Sequence, residues 1–524
     1  MRAIVVFSAG FLFVQQAISA SPLQIRCWQL QDYDMNHIKQ LIDLASLYNI
    51  NRIQLSHNIV MDAEEPLSKP QLAADINAIC KWAHAKGIKV DMWTHELNGI
   101  PNELLKDGRV DIDNPELWNF VREKYARLFR LCPNLDGLVL TMHETAQSVY
   151  DDARVSSSVP PHIRVAQLID SLASVCASLG KDIFVRTFSY EPAQLQWIIE
   201  GIKACKSDVT VMSKCVPHDW QPYYPHNPAI GNVGGKKQVI EFDLGNEFTG
   251  LSRIPYINID YVAERLHYGL SKGIVGAVFR VERLAWRSLG TPNWGVVDVC
   301  TRLLSNPSAD SQALYKQWLA RRYGKGAVEP LHSAFMRTPE IVNKTYFILG
   351  FWFTSHSQIP SYSYAKSSLR NRTTAKWDPT YKPIEQELLN PNRQTIEKII
   401  KEKDIALNLA EASLSDVVHA RPYLKSEDFE SLFDAFERLR AAVVVWRAVT
   451  EVVFSIDVYN ATKSDRNREF LAQAADRLEQ LATENKEHLI EMASDYANPR
   501  RTTNVDNAME LVQLARRILN QGSE

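Results

Sequence analysis

Past its first twenty residues the chain has no apolar run approaching the roughly 18 residues that a membrane-spanning helix requires, so membrane insertion is not expected. It also lacks a long basic run, and its formal charge is −2. Nucleic acids and anionic membranes are held by clustered Lys and Arg, so neither is expected as a partner. Cysteine is scarce: seven residues, at 27, 80, 132, 176, 205, 215 and 300, irregularly spaced and with no C-x-x-C pair. Such a set reads as buried free thiols rather than a disulfide framework, and Cys215, beside Lys214, lacks the other parts of a thiol nucleophile's site. No Gly-rich phosphate loop follows the first apolar run, which argues against a dinucleotide fold. No H-x-H or H-E-x-x-H pair anchors a metal, and neither metal nor cofactor is expected.

What is present is an ordinary globular composition, 45% hydrophobic and 23% charged over 524 residues, enough for two or three domains. Residues 1–20 combine Arg2, an apolar run from Ala3 to Val14 and small residues Ala17, Ser19 and Ala20. This is the pattern of a cleavable secretory signal, and the expected location is secreted or periplasmic. From there to about residue 310, eight short apolar runs alternate with segments of helical periodicity: 25–30, 52–56, 89–94, 135–141, 183–188, 209–214, 238–244 and 274–280. Strand and helix alternating eight times predicts an α/β TIM (β/α)8 barrel over 21–310, with an open doubly wound sheet as the alternative. Beyond it, segments such as 395–418 and 425–458 keep long helical periodicity, which predicts an all-α C-terminal domain over 311–524. Through that domain a homodimer is open. The polar, aromatic-rich stretch 354–393 reads either as surface loop or as a cover over the barrel mouth that supplies sugar-stacking rings.

Three carboxylates fall where a barrel would use them. Glu144 ends one apolar run, Asp219 lies just past another, and Glu247 follows a third, between Gly245 and Gly250. Each is placed at the carboxyl end of a strand, the face on which such barrels build their sites. The other strand ends offer His57, His95, His143, Arg186, Lys214, His218, Trp220, Arg280 and Arg283. Acids, cations and aromatic rings together suit a hydroxyl-rich substrate, so an oligosaccharide or polysaccharide is the expected partner. Glycoside hydrolysis needs one protonated and one ionised carboxyl group, and three candidates satisfy it.

The succession Val185-Arg-Thr-Phe-Ser-Tyr190, Lys214 ahead of Asp219, Gln238-Val-Ile-Glu-Phe with Asn246-Glu-Phe-Thr-Gly250, and Asn293-Trp294 resembles the α-glucuronidases that remove (4-O-methyl)glucuronic acid from xylan. The resemblance implies a barrel followed by a helical domain and hydrolysis with inversion. It implies Glu144 as general acid, Asp219 and Glu247 as the pair that activates water, and Arg186, Lys214, His143 and Trp294 as substrate ligands. That family carries an α/β domain ahead of its barrel, whereas here the barrel is expected directly after the leader. Leu140 stands where a substrate-binding lysine would be placed.

Other readings stay open. A retaining exo-glycosidase on a neutral sugar would use Glu144 and Glu247. A metal-dependent hydrolase would use His57, His95, His143 and His218, and a non-catalytic carbohydrate-binding barrel would have kept the fold alone.

Overall fold

Eight short runs of aliphatic and β-branched residues pair in parallel and close on themselves: β1 Ile25–Leu30, β2 Arg52–Leu55, β3 Lys89–His95, β4 Gly137–Thr141, β5 Asp182–Arg186, β6 Thr210–Lys214, β7 Gln238–Asp243 and β8 Gly276–Arg280. Each strand neighbours the next in the chain, and β8 pairs with β1, Gln29 lying opposite Arg280. The computed structural model describes residues 23–492 and 504–521 apart from positions 146, 246, 285 and 355. The leader read at 1–20 lies outside them.

Alternate residues of each strand face the barrel axis. Cys27, Trp93, Val139, Phe184, Met212, Val239 and Val278 meet there as an apolar plug. Two residues earlier along the strands, Arg52 donates through Nη1 to both oxygens of Asp91, at 2.8 and 3.0 Å, and pairs with Asp182. Two residues later stand Gln29, His95, Thr141, Arg186, Lys214, Glu241 and Arg280. All seven are buried, so the carboxyl end of the barrel is polar and enclosed.

Proline sets four of the outer helices. Pro70–His84, Pro115–Leu131, Pro161–Ser178 and Pro192–Ala204 each open on proline, whose fixed φ suits the first turn and whose missing N–H is not needed there. The alternation expected from sequence fails once: residues 215–237, between β6 and β7, form no helix. Pro217, Pro222, Pro225 and Pro228 lie in this stretch, and each removes a helical donor and pushes its predecessor out of the helical region. Its first part, 215–227, is largely buried and tied down instead. Asn227 Nδ2 donates to the Lys214 and Val216 carbonyls, and Arg265 donates to the carbonyls of Cys215, Tyr224 and Pro225.

Helices follow the barrel. The two longest, Arg393–Ala420 and Ser426–Thr462, pack on each other and are joined by Asp465–Glu484 and Asn504–Gln521. Leu432, Phe436, Leu439, Val443 and Trp446 recur at three- and four-residue spacing, and all are buried. All seven cysteines are buried and unpaired. Among the described residues, no helix is long and apolar enough to cross a membrane.

Candidate active site

The turns that leave β3, β4, β6, β7 and β8 carry the acids, and their partners sort them by task. Glu96, after β3, accepts from the backbone N–H groups of His143 and Val149 and from Ser148 Oγ, each at 2.8 Å. It fastens the turn that presents Glu144. That turn is strained, because His143 and Glu144 both have positive φ, 63° and 59°, a region costly to residues with a Cβ. Glu282, after β8, accepts from the backbone of Gln31 and Asp32 and bonds His37 Nε2 at 2.6 Å. Both carboxylates hold loops in place.

The three acids singled out in the sequence have different surroundings. Glu144 is exposed at the rim; Tyr190 OH donates to it at 3.3 Å, and among the described residues it makes no ion pair. Asp219 receives the Lys214 ammonium at 2.7 Å. Burial works to raise its pKa, but Lys214, His218 and Arg372 outweigh that and hold the carboxyl well below the usual carboxylate range. Glu247 is buried, paired closely with Arg283 Nε, with Arg280 Nη1 at 3.5 Å. Its turn is shaped by Gly245, where a Cβ would come within 2.4 Å of the Glu282 backbone, and by Gly250, with φ of 105°. Ser357, from the helical region, clips this turn by donating to the Glu247 carbonyl and accepting from Gly250 N–H.

One basin gathers these groups. Tyr190 is pushed up by burial and by the charges of both Glu144 and Asp219. Arg280 and Arg283 respond to both Glu247 and Asp219. His57 is pushed well below its ordinary pKa by burial and by Arg283, Arg280 and Arg186, and burial pushes His218 down to about 4 against the pull of Asp219. Both imidazoles are therefore neutral at physiological pH. His143 stays beside Glu144. Its Nδ1 meets Tyr150 OH at 2.8 Å and its ring lies edge-on to Tyr190 at 4.5 Å.

Arg186 and Lys214, expected as substrate ligands, already hold protein carboxylates. Arg186 donates to Glu241 through Nε at 2.6 Å and Nη2 at 3.1 Å, both side chains being fully buried, while its Nη1 has no partner among the described residues. Nearby on the same interior surface, Trp93 Nε1, His95 Nε2 and Thr141 Oγ1 also have none. His95, Thr141 and Arg186 lie opposite one another on β3, β4 and β5, so these polar atoms form a lateral row above the apolar plug. Buried polar atoms left unpaired by the protein mark a surface that a polar ligand can satisfy. Asp243 belongs to the same basin. Its oxygens make no hydrogen bond, Arg280 is 3.7 Å away, and burial together with Glu247 pushes it up to about 6 despite Arg280.

Two expectations are corrected. Trp294 does not reach the basin: it opens the helix Trp294–Ser305 and packs edge-on at 5.8 Å against Trp28, whose indole bonds Thr301 of that helix on the barrel's outer face. Leu140 also faces outward, into the layer between strand and helix, because Val139 and Thr141 occupy the axial positions of β4. Among the described residues His57, His95, His143 and His218 form no metal-ligand set. The set found, Asp434, His488 and Glu491, lies on the helical region, where Arg438 binds both acids.

The stretch 354–393 does cover the barrel mouth, although Tyr362, Trp377 and Tyr381 do not act there as open stacking faces. Tyr362 OH bonds Asp457, Trp377 packs beside Tyr224, and Tyr381 meets Phe351 edge-on. Gln221 Nε2 donates to Gly350 O and Thr374 Oγ1, and Tyr224 OH donates to Arg372 O at 3.1 Å. What the stretch delivers is the Arg372 side chain, whose charge acts on Asp219 and Tyr190. Nothing local in Leu369-Arg-Asn-Arg-Thr373 signals that role.

No family model and no curated protein matches the sequence. Among solved structures, a mutant of the O-GlcNAc hydrolase of Thermobaculum terrenum aligns over 94% of each chain at 10% identity, with a TM-score of 0.46. A GH138 enzyme targeting pectin rhamnogalacturonan II aligns over 96% of this chain and 84% of that one at 12% identity, with a TM-score of 0.62. At that identity the likeness is one of fold, a closed eight-stranded barrel continued by helices, extending over nearly the whole chain.

Proposed function

We propose that the protein is a glycoside hydrolase that removes a terminal uronic acid from an oligosaccharide or polysaccharide, in the manner of an α-glucuronidase, by acid/base catalysis with inversion. One observation carries the reading: Tyr190 OH donates to Glu144 at 3.3 Å while its ring lies 4.9 Å from that of His218, next to Asp219, so two carboxylates with different partners share one neighbour. Asp219 is held by the Lys214 ammonium, whereas Glu144 accepts from a hydroxyl and makes no ion pair among the described residues. Cleaving a glycosidic bond asks for this asymmetry, since one group must carry a proton to the leaving oxygen while another activates water. In this reading Glu144 is the general acid, and Asp219 and Glu247 are the ionised groups that hold and deprotonate the water. Support for an acidic sugar comes from charge. Arg186, Lys214, Arg280, Arg283 and Arg372 face Glu241, Asp219, Glu247 and Asp243, and Asp243 is half-protonated at about pH 6. Apart from the rim carboxylate of Glu144, five cations thus face four carboxylates, and that balance favours an anionic ligand.

The test is a comparison of purified protein on uronic-acid-bearing and neutral oligosaccharides, with the anomer of the first product read by NMR. Release of the uronic acid as the inverted anomer is expected, and Asp219→Asn should abolish it. A retained anomer would move Glu247 from water-holding base to nucleophile. Absence of any sugar release across the panel would overturn the hydrolase reading.

A further inference from the structure

We infer that Arg372, supplied by the helical region and not by the barrel, is the group that binds the carboxylate of the sugar. This rests on the glycoside hydrolase reading above and names the residue that sets its specificity. The other cations of the basin already have carboxylates: Arg186 holds Glu241, Lys214 holds Asp219, Arg283 holds Glu247, and Arg280 lies 3.5–3.8 Å from Glu247, Asp243 and Glu241. Arg372 differs from all four. Its guanidinium makes no hydrogen bond or ion pair among the described residues, and its Nη1 is buried.

The side chain is nevertheless held in place. Arg372 follows the helix Tyr362–Asn371, its N–H bonds the Ser368 carbonyl at 2.9 Å, and its own carbonyl accepts from Tyr224 OH. The guanidinium lies 5.5 Å from the centre of the Trp352 ring, whose indole N–H donates to the same Tyr224 hydroxyl at 2.9 Å. Tyr224, which bonds its carbonyl, has its ring 6.1 Å from that of His218, the neighbour of Asp219, and the charge of Arg372 acts on Tyr364, Asp219, Tyr190 and Tyr224. The charge of Asp219 is met by Lys214. Tyr364 OH, buried beside it, is also without a partner among the described residues.

Arg372 is half-buried, but a buried donor such as its Nη1 is costly until an acceptor reaches it, and the planar fork fits a carboxylate through two parallel hydrogen bonds. A sugar carboxylate placed between Arg372 and Tyr364 would satisfy both residues. The hydroxymethyl group of a neutral sugar would bring no charge to the same place. Because Arg372 acts beside Asp219 and Tyr190, the carboxylate it binds would belong to the sugar undergoing cleavage, not to one further along the chain.

The experiment measures kcat/KM on a paired glucuronide and glucoside, and titrates the two free sugars by calorimetry, for the wild type, Arg372→Gln and Arg372→Lys. The glucuronide-to-glucoside ratio should fall about ten- to a hundredfold in Arg372→Gln, the size of a charged hydrogen bond, and Arg372→Lys should restore part of it. If Arg372 served only to keep Asp219 ionised, both sugars would lose equally and the acid limb of the pH profile would move to higher pH, which would overturn the inference. A wild-type preference that survives unchanged in Arg372→Gln would also overturn it while leaving the hydrolase reading intact. A wild type that neither binds nor cleaves either sugar would remove both.

Discussion

The two ends of the barrel interior both bury charge, and they do so to different effect. At the amino ends of the strands Arg52 is gripped twice by Asp91 and again by Asp182, which also takes Lys89 at 3.0 Å. Those charges meet one another directly, although burial still pushes Asp91 up to about 7 and the Gln54 amide opposite it has no partner among the described residues. At the carboxyl ends the charges also pair, Arg186 with Glu241 and Lys214 with Asp219, but a larger set of donors and acceptors is left over among the described residues: Trp93 Nε1, His95 Nε2, Thr141 Oγ1, Arg186 Nη1, both Asp243 oxygens and Arg372 Nη1. A satisfied buried ion pair holds a structure in one arrangement; an unsatisfied polar surface carries a standing cost that a bound molecule can relieve. The difference between the ends therefore separates scaffold from site without reference to any relative.

The comparison breaks most visibly at the scaffold end. Arg52→Met strands Asp91 in a fully buried position and should cost about 3–5 kcal/mol in urea unfolding, with kcat of the folded fraction unchanged. A loss of kcat with little loss of stability would mean that the amino end contributes to function and that the contrast is false.

At the mouth the order of effects should reverse. Glu144 is exposed and makes no ion pair among the described residues, so Glu144→Gln should leave the thermal midpoint close to that of the wild type. It should lower turnover of substrates with poor leaving groups about a hundredfold or more, and spare activated aryl glycosides, which need no protonation. Equal loss on both kinds of substrate would assign Glu144 a role other than proton donor.

Asp243 sharpens the contrast through pH. Its folded-state pKa of about 6 lies above the ordinary carboxylate value, so between about pH 4 and 6 the folded state binds more protons than the unfolded one. The stabilisation is complete below the unfolded pKa and is lost as pH rises through about 6, a swing of roughly 2–3 kcal/mol. Asp91, pushed up to about 7, contributes the same slope, and His218, pushed down to about 4, and His57 contribute the opposite one, so the raw curve mixes them. The difference between wild type and Asp243→Asn isolates the Asp243 part: the wild type should lose stability relative to the variant as pH rises from 4 to 6. A flat difference would show that Asp243 titrates as an ordinary carboxylate.

The smallest effect belongs to Trp294. Since its ring lies against Trp28 on the outer face of the barrel, Trp294→Phe should leave kcat/KM and the glucuronide-to-glucoside ratio unchanged and register only as a modest shift in the unfolding midpoint. A change in the sugar ratio would return the residue to the site.

Much of this molecule is determined by short-range pattern. The eight strands lie within about two residues of the apolar runs read from the sequence, because alternation and helical periodicity are local properties that tertiary contacts rarely reverse in long periodic segments. Proline-opened helices and acids at strand ends are legible for the same reason, and the four prolines after β6 were as visible as the rest, although an unbroken strand and helix alternation was expected across them. What only the tertiary structure decided is which charges meet. Arg186 and Glu241 lie 55 positions apart and Asp219 and Arg372 are separated by more than 150, on segments whose approach depends on barrel closure and on the helical region folding back over the mouth. A side chain's residue type is read at once, but whether its charge is neutralised, buried or left waiting for a ligand is set by neighbours that no local spacing encodes.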